Sequence, residues 1–265
     1  MDFEAPELAW GDGAAIWRGR GQNFLVEWVD CAPGAELLLA GEHETILIMP
    51  DANFEIRWAG KPGMATAAPS VAITPVGEGT VTAPQGGTVI ALSPQPELAA
   101  DVIDAGIYAT PDRQVAAIGA PYERVGAQDV QIVDMARLRP PADRPRLRVL
   151  QSASMSINWV VYEGPRNRSE LSPHAHKDFE QGSLAIHGQF VHHLRRPWGT
   201  NADLWRADVH HLASERSLLV VPPDVIHTTE GVGEGRHLLI DIFAPPREDF
   251  IASGWIANSG NYRRT

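Results

Sequence analysis

Along most of the chain, hydrophobic and polar residues alternate every second position over short runs, which is the period of a half-buried strand. Such runs are Phe24 to Val29, Glu36 to Leu39, Thr45 to Met49, Phe54 to Trp58, Ser70 to Thr74, Thr80 to Ala83 and Thr88 to Ser93. Turn formers separate them: Pro33-Gly34, Gly41, Pro50-Asp51, Gly60-Lys61-Pro62-Gly63 and Gly86-Gly87. The texture changes at about Leu98. Glu97 to Ile103 reads as one or two turns of helix, and Leu138 to Pro145 is proline-rich with alternating charge, a composition that resists both helix and central strand and marks a connector. Strand periodicity resumes at Leu147 to Gln151, Ser156 to Tyr162, Gln181 to Ile186, Gln189 to Leu194, Leu204 to Leu212, Ser217 to Val221 and His237 to Phe243. The pattern predicts an all-β chain of two modules, residues 1–100 and 147–265, joined by a connector over 101–146, each module a sandwich or barrel.

Composition sharpens this picture. At 265 residues, with 44% hydrophobic and 21% charged positions, the chain has enough apolar surface for a core. Twenty-two basic residues against 33 acidic ones leave a net charge of -11, the wrong sign for a protein that neutralises phosphates or coats an anionic membrane, so neither nucleic acid nor membrane is expected as a partner. A single cysteine, Cys31, excludes an internal disulfide and a four-cysteine zinc site. With the acidic start Met1-Asp2-Phe3-Glu4, it points to a soluble cytoplasmic protein. There is no G-x-x-x-x-G-K-[ST], no G-x-S-x-G and no strand-linked G-x-G-x-x-G, so nucleotide and serine-hydrolase chemistry have no support.

Candidate chemistry gathers in the second module, which holds nine of the ten histidines. His174 and His176, at i and i+2 on an extended segment, put their rings on one face about 6 to 7 Å apart, near enough for one ion to take both. Glu180, four residues on, reaches the same ion only if the chain bends over Lys177 to Phe179. His227, after Pro222-Pro223-Asp224, supplies a ligand from a distant turn. Three imidazoles and one carboxylate suit one divalent transition metal per chain, Zn, Fe, Mn or Ni, and suit Ca or Mg poorly.

These residues resemble the cupin superfamily. Its first motif, H-x-H, three or four residues, Glu, then a stretch to Gly, is matched by His174, His176, Glu180 and Gly188, and its second, P-x-G-x-x-H, by Pro222 and His227. The family's motif glycines fall at Arg168, Arg216 and Asp224, which leaves the loop geometry open. The tail from Asp241 to Phe250 is also similar to the end of small cupins, some of which process unsaturated sugar acids. The resemblance implies two antiparallel jelly-roll β-barrels, one metal in the C-terminal barrel and a homodimer. Aligning Glu44-Thr45-Ile46-Leu47 with Glu180-Gln181-Gly182-Ser183 puts Leu38, Ala40 and Val89 at the histidine positions of the first module, which is then a degenerate copy without ligands, filled with hydrocarbon.

Around the metal, Glu180, His192 and His193 are the candidate proton movers, an imidazole titrating near working pH. Gln189, Tyr162 and Arg195 are the candidate substrate contacts, Arg195 as a guanidinium clamp for a carboxylate. Trp159 reads as packing, and Asp241 and Glu248 as partners behind the ligands. The expected function is a metal-dependent cupin enzyme that isomerises or cleaves a small oxygenated substrate, a sugar acid or another carboxylate, by Lewis-acid chemistry. The alternatives are a dioxygenase using Fe, Mn or Ni, and a metal- or small-molecule-binding protein without catalysis.

Overall fold

Isoleucine, valine and leucine runs bounded by Gly and Pro form strands here because each strand finds an apolar layer on at least one face. The computed structural model describes residues 8–10, 13–99, 106–118 and 121–265, so most of the helical turn expected over Glu97 to Ile103 lies outside the described residues. The first half contains β1 (Leu8–Trp10), β2 (Ala14–Arg20), β3 (Leu25–Cys31), β4 (Ala35–Gly41), β5 (Thr45–Met49), β6 (Glu55–Trp58), β7 (Met64–Ala65), β8 (Ser70–Thr74), β9 (Gly77–Ala83) and β10 (Gly87–Ser93). Two further strands, β11 (Tyr122–Arg124) and β12 (Gln131–Asp134), lie in the segment expected to be a connector. The second half contains β13 (Val149–Gln151), β14 (Ser156–Glu163), β15 (Gln181–His187), β16 (Gln189–Arg195), β17 (Val209–Ala213), β18 (Ser217–Val221), β19 (Ile226–Val232), β20 (Arg236–Phe243), the short helix α1 (Glu248–Ala252) and β21 (Tyr262–Arg264).

The strands pair antiparallel in open sheets. A seven-stranded sheet has the order β1-β2-β3-β10-β5-β8-β12 and faces a four-stranded sheet, β4-β9-β6-β7. In the second half a five-stranded sheet, β13-β14-β20-β15-β18, faces a three-stranded one, β17-β16-β19. The expected closed barrels are thus replaced by open two-sheet sandwiches. The physical reason is that the two large sheets bury each other's outer faces, so neither needs to close on itself to hide its apolar surface. No helix among the described residues is long and apolar enough to cross a membrane.

Period-two alternation explains the layering. Ile46 and Ile48 of β5 turn toward the second half, where they meet Ile157 and Trp159 of β14, Leu184 of β15 and Ile240 of β20 in one buried core. Leu47 and Met49, on the other face of β5, turn toward the four-stranded sheet with Val81 and Val89. Leu38 and Ala40, expected inside, are exposed, Leu38 at 64%; by strand parity their neighbours Leu37 and Leu39 take the interior. The core within the second sandwich is small by comparison, centred on Ala185, Phe190, Ala213 and Leu239. The space it leaves is polar and holds the candidate site.

Two acidic residues tie the halves together in matching ways. Glu44, just before β5, accepts the backbone N–H of Ala153 at 2.7 Å, and Glu180, just before β15, accepts that of Gln22 at 2.6 Å. Each carboxylate thereby holds a loop that enters a long strand of the other half, β14 for Glu44 and β3 for Glu180. Glu44 also pairs with buried Arg124 and accepts the Tyr262 hydroxyl, and β21 pairs with β11, so the chain's last strand is fastened against the connector. Arg216 and Asp224, at two positions where the cupin motifs carry glycine, sit at φ 63° and 61°. The left-handed turns survive without glycine. Asp tolerates that region, and Arg216 offsets its strain by stacking on Trp17 at 4.2 Å and pairing with Asp30 at 2.9 Å.

Candidate metal centre

His174 and His227 face each other across an isolated antiparallel bridge, His174 N–H donating to His227 O at 3.0 Å and His227 N–H to His174 O at 2.7 Å. The bridge brings the His174 segment onto the edge of β19, and the Asp224 N–H bonded to His176 O at 2.6 Å holds the next residues there. One ring nitrogen from each of His174, His176 and His227 lies within 4.8 Å of the other two. The bend expected at Lys177-Asp178 is present. What it delivers to the histidines is Gln181 rather than Glu180: Gln181 Oε1 lies 2.9 Å from His176 Nε2 and 3.2 Å from His227 Nε2. The Glu180 carboxylate is engaged with Gln22 and does not join the three-histidine group.

The proton bookkeeping at this cluster is informative. His174 Nδ1 lies 2.9 Å from Ser172 O and His227 Nδ1 2.9 Å from Val225 O, and since a carbonyl only accepts, each Nδ1 carries the proton and each Nε2 a lone pair. The Gln181 amide is oriented too: its Nε2 donates to Asp241 Oδ1 and to Ser183 Oγ, both at 3.1 Å, which turns Oε1 toward the imidazoles. Asp241 is held in turn by Ser183 Oγ and Asn158 Nδ2, each at 3.2 Å. Lone pairs of His227 and Gln181 therefore face one another. Ring protonation, which would turn Nε2 into a donor, is disfavoured at neutral pH, because burial lowers His176 to a pKa of about 3 and His227 to about 4. A cation satisfies the facing lone pairs, and three neutral imidazoles with an amide oxygen fit a divalent transition metal. Phe179, stacked on His176 at 4.5 Å, and Phe243, edge-on at 5.9 Å, shield the buried side.

The open side leads outward. A chamber of about 100 Å³, with Tyr162, Arg166, Phe190 and Thr229 on its walls, joins a cleft of about 580 Å³. His174, Gln181, Arg166 and Asp241 line both. Of the residues expected to contact substrate, Tyr162 lines the chamber, its hydroxyl pushed above the usual phenol range by burial. Arg195 does not line that chamber; it is closed in a two-pronged ion pair with Asp208 and lines a separate cavity of about 190 Å³ that His227 also lines, and Gln189 is exposed at the start of β16. His192 points inward but is bonded through Nδ1 to Thr229 Oγ1 at 2.9 Å, and burial holds its pKa down at about 4. His193, one residue on, has the opposite strand parity and pairs with Glu230 at 3.0 Å and His210 at 2.7 Å. Of the two partners expected behind the ligands, Asp241 is in place, while Glu248 pairs with Arg264 at 2.9 Å. Sequence reasoning missed Gln181 and Arg166. The signal for Gln181 was available in strand parity, since Leu184 and Ile186 face the inter-module core and residues 181, 183 and 185 must face the chamber.

No sequence-family model matches the chain, and no curated protein sequence matches it. Its fold does match solved structures. The crystal structure of AerE from Microcystis aeruginosa superposes with a TM-score of 0.62 at 10% identity, covering 92% of this chain and 98% of that one. A Lactobacillus farciminis oxalate decarboxylase in complex with formate gives 0.62 at 11%, covering 93% and 86%. A Bacillus subtilis oxalate decarboxylase described as having Mn(II) centres gives 0.59 at 13%, covering 92% and 76%. These neighbours define the fold as that of cupins. With the three-histidine pocket in its second sandwich, the chain is a cupin-fold protein with a site able to hold a divalent metal.

Proposed function

We propose that the chain is a metal-dependent enzyme that isomerises or cleaves a small carboxylated substrate, with His174, His176, His227 and the Gln181 amide oxygen as the ligands of one divalent transition metal. The observation that carries this reading is the facing lone pairs of His227 Nε2 and Gln181 Oε1, 3.2 Å apart beside the other two imidazoles, at a site whose His174 and Gln181 line a cleft open to solvent. When bound, the ion would supply Lewis acidity toward a substrate carbonyl or carboxylate oxygen. The chain's own residues do the rest. Asp241 and Ser183 keep the Gln181 oxygen aimed inward. Arg166 orients an anionic substrate against that floor, while Phe179 and Phe243 exclude water from behind. Tyr162, whose phenol stays protonated at neutral pH, is placed to deliver a proton.

The names of the oxalate decarboxylases among the structural neighbours support a carboxylate as the ligand class. The neutral donor set supports the same class, because an ion held by imidazoles and an amide keeps its full positive charge for an anion. The test of reaction type is a panel of 2-oxo and 2-hydroxy acids incubated with the protein in D2O, followed by proton NMR beside an oxygen electrode. Solvent deuterium entering the carbon next to the carbonyl, with no O2 uptake and with loss of the exchange in Tyr162→Phe, is expected. Substrate-dependent O2 uptake without exchange would replace the reading with a dioxygenase. Absence of both across the panel would leave a protein that binds metal and ligand without turnover.

A further inference from the structure

The segment linking the two sandwiches is part of the site. Asp143 to Leu147 forms one side of the 580 Å³ cleft, facing His174, Gln181 and Arg166 across it. From this segment comes Arg146, whose charge lies close enough to Arg166 to help lower the latter's pKa, after the larger effect of burial. Both guanidiniums line the same cleft, and among the described residues neither forms an ion pair with a carboxylate. Arg166 spends its donors on backbone carbonyls, Thr229 O at 3.2 Å and Glu170 O at 3.5 Å, and its buried Nε–H has no partner. Of the acids around them, Asp249 pairs with Arg247 and Asp241 is held by Gln181, Ser183 and Asn158, while Asp143 on the cleft wall and Glu170 form no ion pair with either arginine among the described residues. Two cations on one cleft without an ion-paired anion, one of them half-buried, are suited to an anionic ligand, and arginine takes a carboxylate through its forked donors.

The cleft also carries an apolar patch. Leu147, Val160, Phe243, Phe250 and Trp255 line it among polar residues such as Asn158 and Ser172, and Trp255 is held by Arg144 stacked at 4.7 Å. Pockets of roughly 300–1,000 Å³ take ligands of drug size. A two-carbon acid would leave most of this cleft filled with water. We propose that Arg166 and Arg146 form a carboxylate subsite beside the histidine triad, and that its ligand is a monocarboxylate carrying an apolar, ring-sized body that lies against Trp255. This rests on the metal-site reading only for the position of the reacting atoms; the subsite itself needs no ion.

Isothermal titration with 3-phenylpropionate, 3-phenylpropanamide and acetate tests it, run on the protein as purified and again after dialysis against EDTA, with metal content measured on every sample. The expected order is phenylpropionate at least tenfold tighter than either the amide or acetate, in both preparations. Arg166→Gln and Arg146→Gln should each weaken phenylpropionate at least tenfold, and Trp255→Ala severalfold, while Arg195→Gln, whose side chain is paired with Asp208, changes nothing. Equal affinity for acid and amide, arginine variants within twofold of the parent, or no binding of phenylpropionate below the millimolar range would each overturn the subsite. Metal content that is absent in the parent protein while phenylpropionate still binds through the arginines would sink the metal reading and leave the subsite standing.

Discussion

Glu180 and Gln181 are neighbours with opposite assignments, and replacing them one at a time separates a structural tie from a ligand. Glu180 accepts the Gln22 N–H at 2.6 Å from the other half of the chain, a bond to a charged acceptor worth about 1.5–3 kcal/mol. Burial acts against the ionised form and pushes its pKa up, so the net loss in Glu180→Ala belongs toward the lower end, about 1–2 kcal/mol. For a chain of this size each kcal/mol moves Tm by roughly 2–4 °C, giving a fall of about 2–8 °C. Metal affinity should be unchanged. Gln181→Ala should do the reverse, weakening metal at least tenfold, in the range of roughly 10–100-fold seen when groups around a metal site are lost, with Tm of the metal-free protein within a few degrees of the parent. Thermal melts of metal-free protein and competitive metal titration read the two effects separately. Loss of metal affinity in Glu180→Ala with none in Gln181→Ala would refute the assignment.

Three further outcomes follow from the same structure. His192 is buried with its pKa lowered to about 4 from an ordinary 6.5, so the folded state resists its protonation; its contribution is full above about pH 6.5 and is lost as pH falls toward 4. At pH 5 that loss is about 2 kcal/mol, and urea melts at pH 7 and pH 5 should show a smaller drop for His192→Gln than for the parent; equal drops would contradict it. Trp159→Ala removes a fully buried side chain from the core between the halves and should cost about 3–5 kcal/mol in denaturant melts, a cost below 1 kcal/mol placing that ring outside the core. Arg124→Met strands the buried Glu44 carboxylate and should cost about 3–5 kcal/mol, most of it recovered in the double variant with Glu44→Gln; no recovery would show that the pair is not coupled.

The histidines were legible because their chemistry is local: an i, i+2 pair and a Pro-led turn ending in His227 need no knowledge of the rest of the fold. Strands such as Thr45–Met49, Ser70–Thr74 and Ser217–Val221 were legible to the residue, since each is a short apolar run closed by turn formers. At the fourth position the spacing and the folded chain point to different residues, for a definite reason. Spacing alone offers an acid at position 180 and an amide at 181, and chemical preference selects the acid, whereas the side that each faces is decided by β15 packing Leu184 and Ile186 against the other half. Glu44 and Glu180, aligned with each other along the sequence, both accept a backbone N–H from the other half. Arg166 and Arg146 carry no local signature, and only the folded chain shows that both line the cleft and that neither forms an ion pair among the described residues. The Pro-rich segment looked passive because proline excludes it from regular structure, which says nothing about what it lines.

The central claim is that three imidazoles and the Gln181 oxygen hold one divalent ion. Elemental mass spectrometry on untagged protein purified without added metal, after one titration with Mn(II), Fe(II), Ni(II) and Zn(II) in parallel, tests it most directly. The account predicts about one ion per chain in the parent and a near-zero value in His227→Ala, with the circular dichroism of a folded β protein retained. A parent chain that takes up none of the four metals, or a His227→Ala protein that keeps its full complement, would contradict it.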